Sequence, residues 1–348
     1  MSMDQLTGTF VPEDPRSDEE KAQDYTPEEI LGGSVSVPVW KARDTFDWDV
    51  WSLRTQSTSS SCGGQAGAKA IEGFTSVVAS ANPIYRFRKN YDGEGMWAHD
   101  IADILKKSGT TGESRSPSQT LTEAEMNGIT TKYIADLLMK ERYTISAYYF
   151  HAIGGSTSMD AIAQSLEMGH AIVFLVRTNA DEWQEVVEHK GGDVTFSHFV
   201  TAVGKRNYTL HNGERCIVID DSCNAFSTLK KDGKPTGQRL LTESFVRNRV
   251  ASIMALVPSQ STKTNHIFTK FLTYGMRNDS DVVALQNILK ERGYMDTNIP
   301  STGNFLKLTA KAVVKWQVSN GMDDFAHAPL SAVRVGPKSV ALLNSYNK

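Results

Sequence analysis

Apolar positions first recur with a helical period after Cys62. Over residues 62–80, Ile71, Phe74, Val77 and Val78 stand among alanines and glycines, a pattern that predicts a helix. Gly63, Gly64, Gly67 and Gly73 are poor helix formers, each costing up to about 1 kcal/mol relative to Ala. A helix that keeps four of them is expected to pack closely against its neighbours. A second helix is predicted over residues 96–108, with Ile101, Ile104 and Leu105 on one face. A third covers residues 159–168 and ends at Gly169. The pattern then changes to short β-branched runs at 171–177, 197–203, 215–220 and 251–257, read as strands. Helices first and strands later predict an α+β domain with a helical half and a sheet half.

A polar stretch, PSQSTKTNH over residues 258–266, breaks the pattern, and a linker is placed at 259–271. After it, Val282, Leu285 and Leu289 share a helical face that ends at Gly293. Ala310, Val313 and Gln317 share another that ends near Gly321. Val340 and Leu343 mark a last short helix with Pro337 near its start. Residues 272–348 are therefore read as a small C-terminal three-helix module, separate from a main domain over 35–258.

Charge separates a fourth region. The first 30 residues hold nine Asp or Glu against Arg16 and Lys21. With few large apolar residues, segment 1–34 is expected to lie extended or disordered. It reads as a solubilising tail or a tether to a partner, with an inhibitory role as the rival. The whole chain has 348 residues and a formal net charge of -3, which gives no reason to expect nucleic acid as a partner. No apolar run approaches the roughly 18 residues of a membrane span. The first residues have neither a basic start nor an apolar stretch, so no secretory signal is expected and synthesis is placed in the cytoplasm. Three cysteines fit a reducing compartment or a single working thiol. Cys216 and Cys223, seven apart, would face opposite sides of a continuous strand and are not paired. The histidines are scattered, with no cysteine at zinc-finger spacing, so no metal is expected. No phosphate-loop pattern implies another cofactor.

Cys62 carries the most chemistry. It follows the polar loop Thr55-Gln56-Ser57-Thr58-Ser59-Ser60-Ser61 and opens the Gly/Ala helix. The positive end of a helix dipole favours a thiolate, the nucleophilic form. The competing reading is a small buried core residue.

Three segments resemble the papain-like cysteine peptidases. Gln56 precedes Cys62 by six residues, and Glu72-Gly73 follows as in that family. Ser197-His198-Phe199-Val200-Thr201-Ala202-Val203-Gly204 resembles its His-Ala-Val-x-x-Val-Gly strand. Ile219-Asp220-Asp221-Ser222-Cys223-Asn224 stands against its Asn-Ser-Trp-Gly. His198 lies 136 residues after Cys62, within the roughly 130–150 of papain-type enzymes. Transglutaminase-like folds share the order but usually have a shorter gap. The resemblance implies a papain-like two-subdomain fold, with Cys62 as nucleophile, His198 as base and acid, Asp221 as the residue orienting the ring and Gln56 as oxyanion donor. Asp220 is the alternative to Asp221, which the following Ser222 favours. Gly93 and Gly95 match the glycine-rich segment that pairs with an extended substrate, or else a plain turn. Departures are expected to matter. Asp221 replaces Asn, Ser59 replaces a disulfide cysteine, Gly63 replaces a Trp, and Cys223 replaces the Trp that shields the Asn–His bond. With both aromatic shields missing, the pair is expected to be wetter and activity lower.

Residues 272–344 resemble the peptidoglycan-binding type 1 domain. The match runs through Asp281-Val282, Leu285-Gln286, Leu289, Gly293-Tyr294, Thr302-Gly303-Asn304-Phe305, Thr309, Ala312-Val313, Trp316-Gln317, Gly336-Pro337, Val340 and Leu343-Asn344. This implies peptidoglycan as partner through residues 272–348, with protein docking as the rival. Together the resemblances imply a cysteine endopeptidase acting at the bacterial cell wall on peptide or peptidoglycan stem-peptide substrates. A phage-type lysin, virion-associated or released on lysis, is one form. The alternatives are a peptidase of wall-associated or virion proteins, and an inactive structural component using the acidic N-terminus as its virion or assembly contact.

Overall fold

The computed structural model describes residues 15–17, 19, 38–43, 49, 51–152, 156–223, 228–259, 268–295, 301–322 and 328–345. The acidic segment read over 1–34 and the linker read over 259–271 lie for the most part outside the described residues. The chain divides into two compact units, one running to Pro258 and the other taking the chain from Ser259 onward.

Helix α1 (Cys62–Thr75) starts directly at the cysteine and buries every residue from Cys62 to Glu72. It stops a turn short of the predicted end, because Ser76 takes a left-handed conformation (φ 60°) and its N–H closes on the Glu72 carbonyl. The glycines are where other elements come closest. A Cβ on Gly67 would lie 2.9 Å from Ile101, and one on Gly73 would run into Val203. Helix α2 (Asn82–Arg86) has Pro83 in its first turn. Helix α3 (Ala98–Lys107) buries Ile101, Ala102, Ile104 and Leu105. Helix α4 (Glu123–Gly128) begins with a Thr122–Glu125 capping box, and Thr130 caps α5 (Thr131–Leu138).

The strand half holds β1 (Ile145–Phe150), α6 (Ser156–Glu167), β2 (Ala171–Thr178), β3 (Val186–Val187), β4 (Phe196–Ala202), β5 (Tyr208–His211), β6 (Glu214–Asp220), the small hairpin β7 (Lys230–Lys231) and β8 (Lys234–Pro235), then β9 (Gln238–Thr242), α7 (Glu243–Arg249) and β10 (Val250–Pro258). The main sheet runs β1-β10-β2-β4-β6-β9-β3, with β5 paired to β6. Only β3–β9 is parallel among these pairs. The α+β class and the helical-then-strand order stand as read from the periodicity. The Tyr148-Tyr149-Phe150 run forms the second half of strand β1.

Register places the site. Val176 pairs with His198, Thr201 with Asp220 and Ile219 with Arg239. Strand β6 leaves the sheet at Asp220, so Asp221 is freed from the ladder's alternation while its N–H stays bonded to the Gly237 carbonyl at 2.8 Å.

The second unit has its own core of Leu285, Leu289, Phe305, Val313, Trp316 and Leu343. Among the described residues its helices are α8 (Ser280–Glu291), α9 (Lys307–Ser319) and α10 (Pro337–Ser345), with a short ribbon of β11 (Leu272–Thr273) and β12 (Arg334–Val335). Asp279 caps α8 by accepting from the N–H groups of Asp281 and Val282. The buried Gln286 amide donates to the Asn304 carbonyl and to Thr309 Oγ1, and accepts from the Gly303 N–H. That bonding fixes the connection between α8 and α9.

Candidate active site

Cys62 is the first residue of α1 and is 1% exposed. His198 comes from β4 and Asp221 from the segment just after β6. The three predicted residues meet although 159 residues of sequence separate the first from the last. His198 Nε2 bonds Asp221 Oδ1 at 2.7 Å, and both side chains are fully buried. The Cys62 sulfur lies close enough to act on the same ring. The ring's other nitrogen, Nδ1, has no hydrogen-bond partner among the described residues. Burial alone would push His198 down. The Asp221 carboxylate and then the Cys62 sulfur more than reverse this, and the imidazole is held up at about 9.

Asp221 is bonded at both oxygens. Oδ1 also accepts the Cys223 N–H at 2.8 Å; Oδ2 accepts Trp183 Nε1 at 3.0 Å and Arg239 Nε at 2.7 Å. Burial would raise this carboxyl, but the Arg239 guanidinium and then His198 hold it well below the usual carboxylate range. Asp220, the alternative, turns elsewhere. It lies 3.7 Å from Lys69, which also pairs with Glu72, and burial holds it up at about 6.

Gln56 is buried in the loop before α1. Its Nε2 donates to the Ser59 carbonyl at 3.0 Å, and its Oε1 accepts from Ser222 Oγ at 2.9 Å. Its backbone N–H bonds the Ser222 carbonyl at 3.1 Å. Gln56 is thereby tied to the segment that carries Asp221.

Among solved structures, xylellain, a cysteine protease from Xylella fastidiosa, superposes with a TM-score of 0.52 at 15% identity, covering 75% of this chain and 99% of that one. Digestive procathepsin L2 proteinase from the Tenebrio molitor larval midgut gives 0.52 at 18% identity, covering 74% and 79%. The first unit has the papain-like fold. In the second unit, residues 278–324 match the family described as "Putative peptidoglycan binding domain". No curated relative matches the sequence.

The papain-like unit corrects one expectation outright. The His198–Asp221 pair is not wet, because both side chains are fully buried and other residues pack beside them. The Trp183 ring stands edge-on to His198, with centroids 5.8 Å apart and planes at 89°, and it is itself fully buried. Over Gly63 lies Met96, whose Cγ would be 2.6 Å from an added Cβ. The substrate-edge reading of Gly93 and Gly95 also meets a different geometry. Gly93 donates to the Asn90 carbonyl and accepts from Arg88; Gly95 donates to Tyr85 Oη and accepts from Asn90. All four backbone groups are bonded to residues between Tyr85 and Asn90, as in the plain-turn reading, and Glu94 reaches toward the Cys62 segment by accepting from Ser60 Oγ at 3.3 Å. Among the described residues no cluster of three or more His, Cys, Asp or Glu could hold a metal.

Trp183 and Arg239 escaped the sequence reading as site residues. Nothing in the residues around Trp183 tied it to His198. Arg239 did leave a signal. It is the lone charge in the buried strand Gln238–Thr242, and a charge in such a strand needs a partner.

Proposed function

We propose that this chain is a cysteine peptidase that works at the bacterial cell wall. The observation that carries the reading is the buried line Asp221–His198–Cys62, with the sulfur at the start of α1. In this mechanism His198 takes the thiol proton and the thiolate attacks the scissile carbonyl carbon. The oxyanion is met by the Cys62 N–H and by the Gln56 amide. The imidazolium then gives its proton to the leaving amine, and water, activated by the freed imidazole, hydrolyses the thioester. Asp221 keeps the ring in the working tautomer and plane.

The second unit supplies the address. Tethering the papain-like unit to a polymer raises the effective concentration of peptides on that polymer without new active-site contacts. The substrates proposed are stem or cross-bridge peptides of peptidoglycan, which makes the chain a lysin of phage type. Residues 275–348 hold nine basic against six acidic residues, a balance suited to an anionic wall.

Digestion of purified sacculi, read as new amino termini, tests this directly beside a peptide library. The expected result is release by the native chain and none by Cys62→Ala, with a small thiol probe labelling Cys62 ahead of Cys216 and Cys223. Cleavage of library peptides without release from sacculi would move the substrate to proteins displayed at the wall. No cleavage of either, with Cys62 unlabelled, would overturn the peptidase reading.

A further inference from the structure

Resting on the reading of Cys62 as nucleophile, we propose that Arg239 is a positioning residue whose charge allows a carboxylate to stand where the papain-like pattern has a neutral amide. A thiolate and an imidazolium backed by an amide sum to zero charge. Backed by Asp221 they sum to -1, at a place where the side chains of His198, Asp221 and Arg239 are all fully buried. A net charge is costly there. Arg239 restores neutrality through a 2.7 Å bond from Nε to Asp221 Oδ2.

The guanidinium is fixed in turn. Its Nη1 donates to the Gln184 carbonyl at 2.9 Å, and it lies 5.4 Å from the centre of the Trp183 ring. With Oδ2 taken by Arg239 and Trp183, Oδ1 is held toward His198 and the Cys223 N–H. The carboxylate therefore keeps one orientation. Arg54, Lys69 and Asp220 line a small cavity together with Asp221; Lys69 pairs with Glu72 at 3.2 Å, and Arg54 is acted on by Glu113, Glu72 and Asp220. Among these cations Arg239 is the one bonded to the Asp221 carboxylate. Burial acts to raise the Asp221 carboxyl, and Arg239 is the largest influence against it, ahead of His198.

The test is the pH dependence of Cys62 alkylation in the full chain, read at that residue by mass spectrometry. Arg239→Gln leaves a net negative cluster. Its acid limb should move up by a pH unit or more, so that alkylation on that limb is about tenfold slower. Asp221→Asn leaves a net positive cluster, and both limbs should move down. The double variant Asp221→Asn/Arg239→Gln is neutral again and should return the acid limb to within about half a unit of the native one. Arg239→Lys should also keep it. Limb positions, unlike absolute rates, do not move when part of a sample is unfolded. If Arg239→Gln does not fold, the lysine and double variants decide, since both must hold the native limb. An acid limb that ignores the charge at 239, or a double variant displaced as far as either single one, overturns the inference. A native chain with no thiolate at neutral pH would instead remove the nucleophile reading, and this inference with it.

Discussion

The indole of Trp183 meets the imidazole of His198 edge to face, with ring centroids 5.8 Å apart and planes at 89°. The same indole donates its N–H to Asp221 Oδ2. One side chain therefore both covers the His–Asp bond and helps orient it. Losing a donor to a buried carboxylate costs about 1–3 kcal/mol. Truncating a buried Trp costs about 3–5 kcal/mol. Trp183→Phe should lower kcat/KM by about tenfold with a modest fall in Tm. Trp183→Ala should lower both further. Unchanged turnover and melting in the alanine variant would contradict this role.

Gln56→Ala should reduce kcat by about 10²–10³ with little change in KM, as removal of an oxyanion donor does. Because Gln56 Oε1 also accepts from Ser222 Oγ, Gln56→Glu separates the two effects. It keeps that acceptor but sets a carboxylate against the oxyanion, and should be at least as slow as the alanine variant. Steady-state kinetics on one peptide decide it.

Stability should fall on both sides of neutral pH. Tyr149 Oη bonds His170 Nδ1 and Ser165 Oγ, each at 2.8 Å, and Ser165 Oγ meets His151 Nε2 at 3.1 Å. Burial pushes His151 down to about 3, with His170 adding to it, and pushes His170 down to about 4. Unfolded, both titrate near 6.5. The unfolded chain then binds more protons below that pH, and stability falls from about pH 6.5 toward 4 by up to about 1.4 kcal/mol per unit for each histidine. His198 has the opposite sign. Its stabilising contribution is complete below about 6.5 and is lost as pH rises through about 9. Melting curves from pH 4 to 10 should show both limbs, and His151→Gln should flatten the acid one.

Retention on purified sacculi should depend on the second unit alone. Trp316 is fully buried in its core, and Trp316→Ala should cost about 3–5 kcal/mol there. Co-sedimentation of the full chain should drop, while the alkylation rate of Cys62 stays as it was. Equal loss of both would show that the variant damages more than the wall-binding unit.

Local pattern determined much of this protein. Helical spacing in Cys62–Thr75, β-branched runs at β2, β4, β6 and β10, and the Pro337 start of the last helix are each written within a few neighbouring residues. Short-range sterics and solvent exposure are enough to set them. The Cys62, His198 and Asp221 candidates were legible for a different reason, since each sits in a motif whose residue types the chemistry demands. Only the tertiary structure decided what surrounds them. Strand register across β6 and β9 brings Arg239 to Asp221, and the chain before β3 folds Trp183 over His198. Asp220 and Asp221 are adjacent and chemically alike, yet one turns to Lys69 and the other to His198, because β6 ends between them. Such contacts join residues well beyond one another's local pattern. Their energies come from desolvation and charge balance, which exist only once the sheet has closed around them.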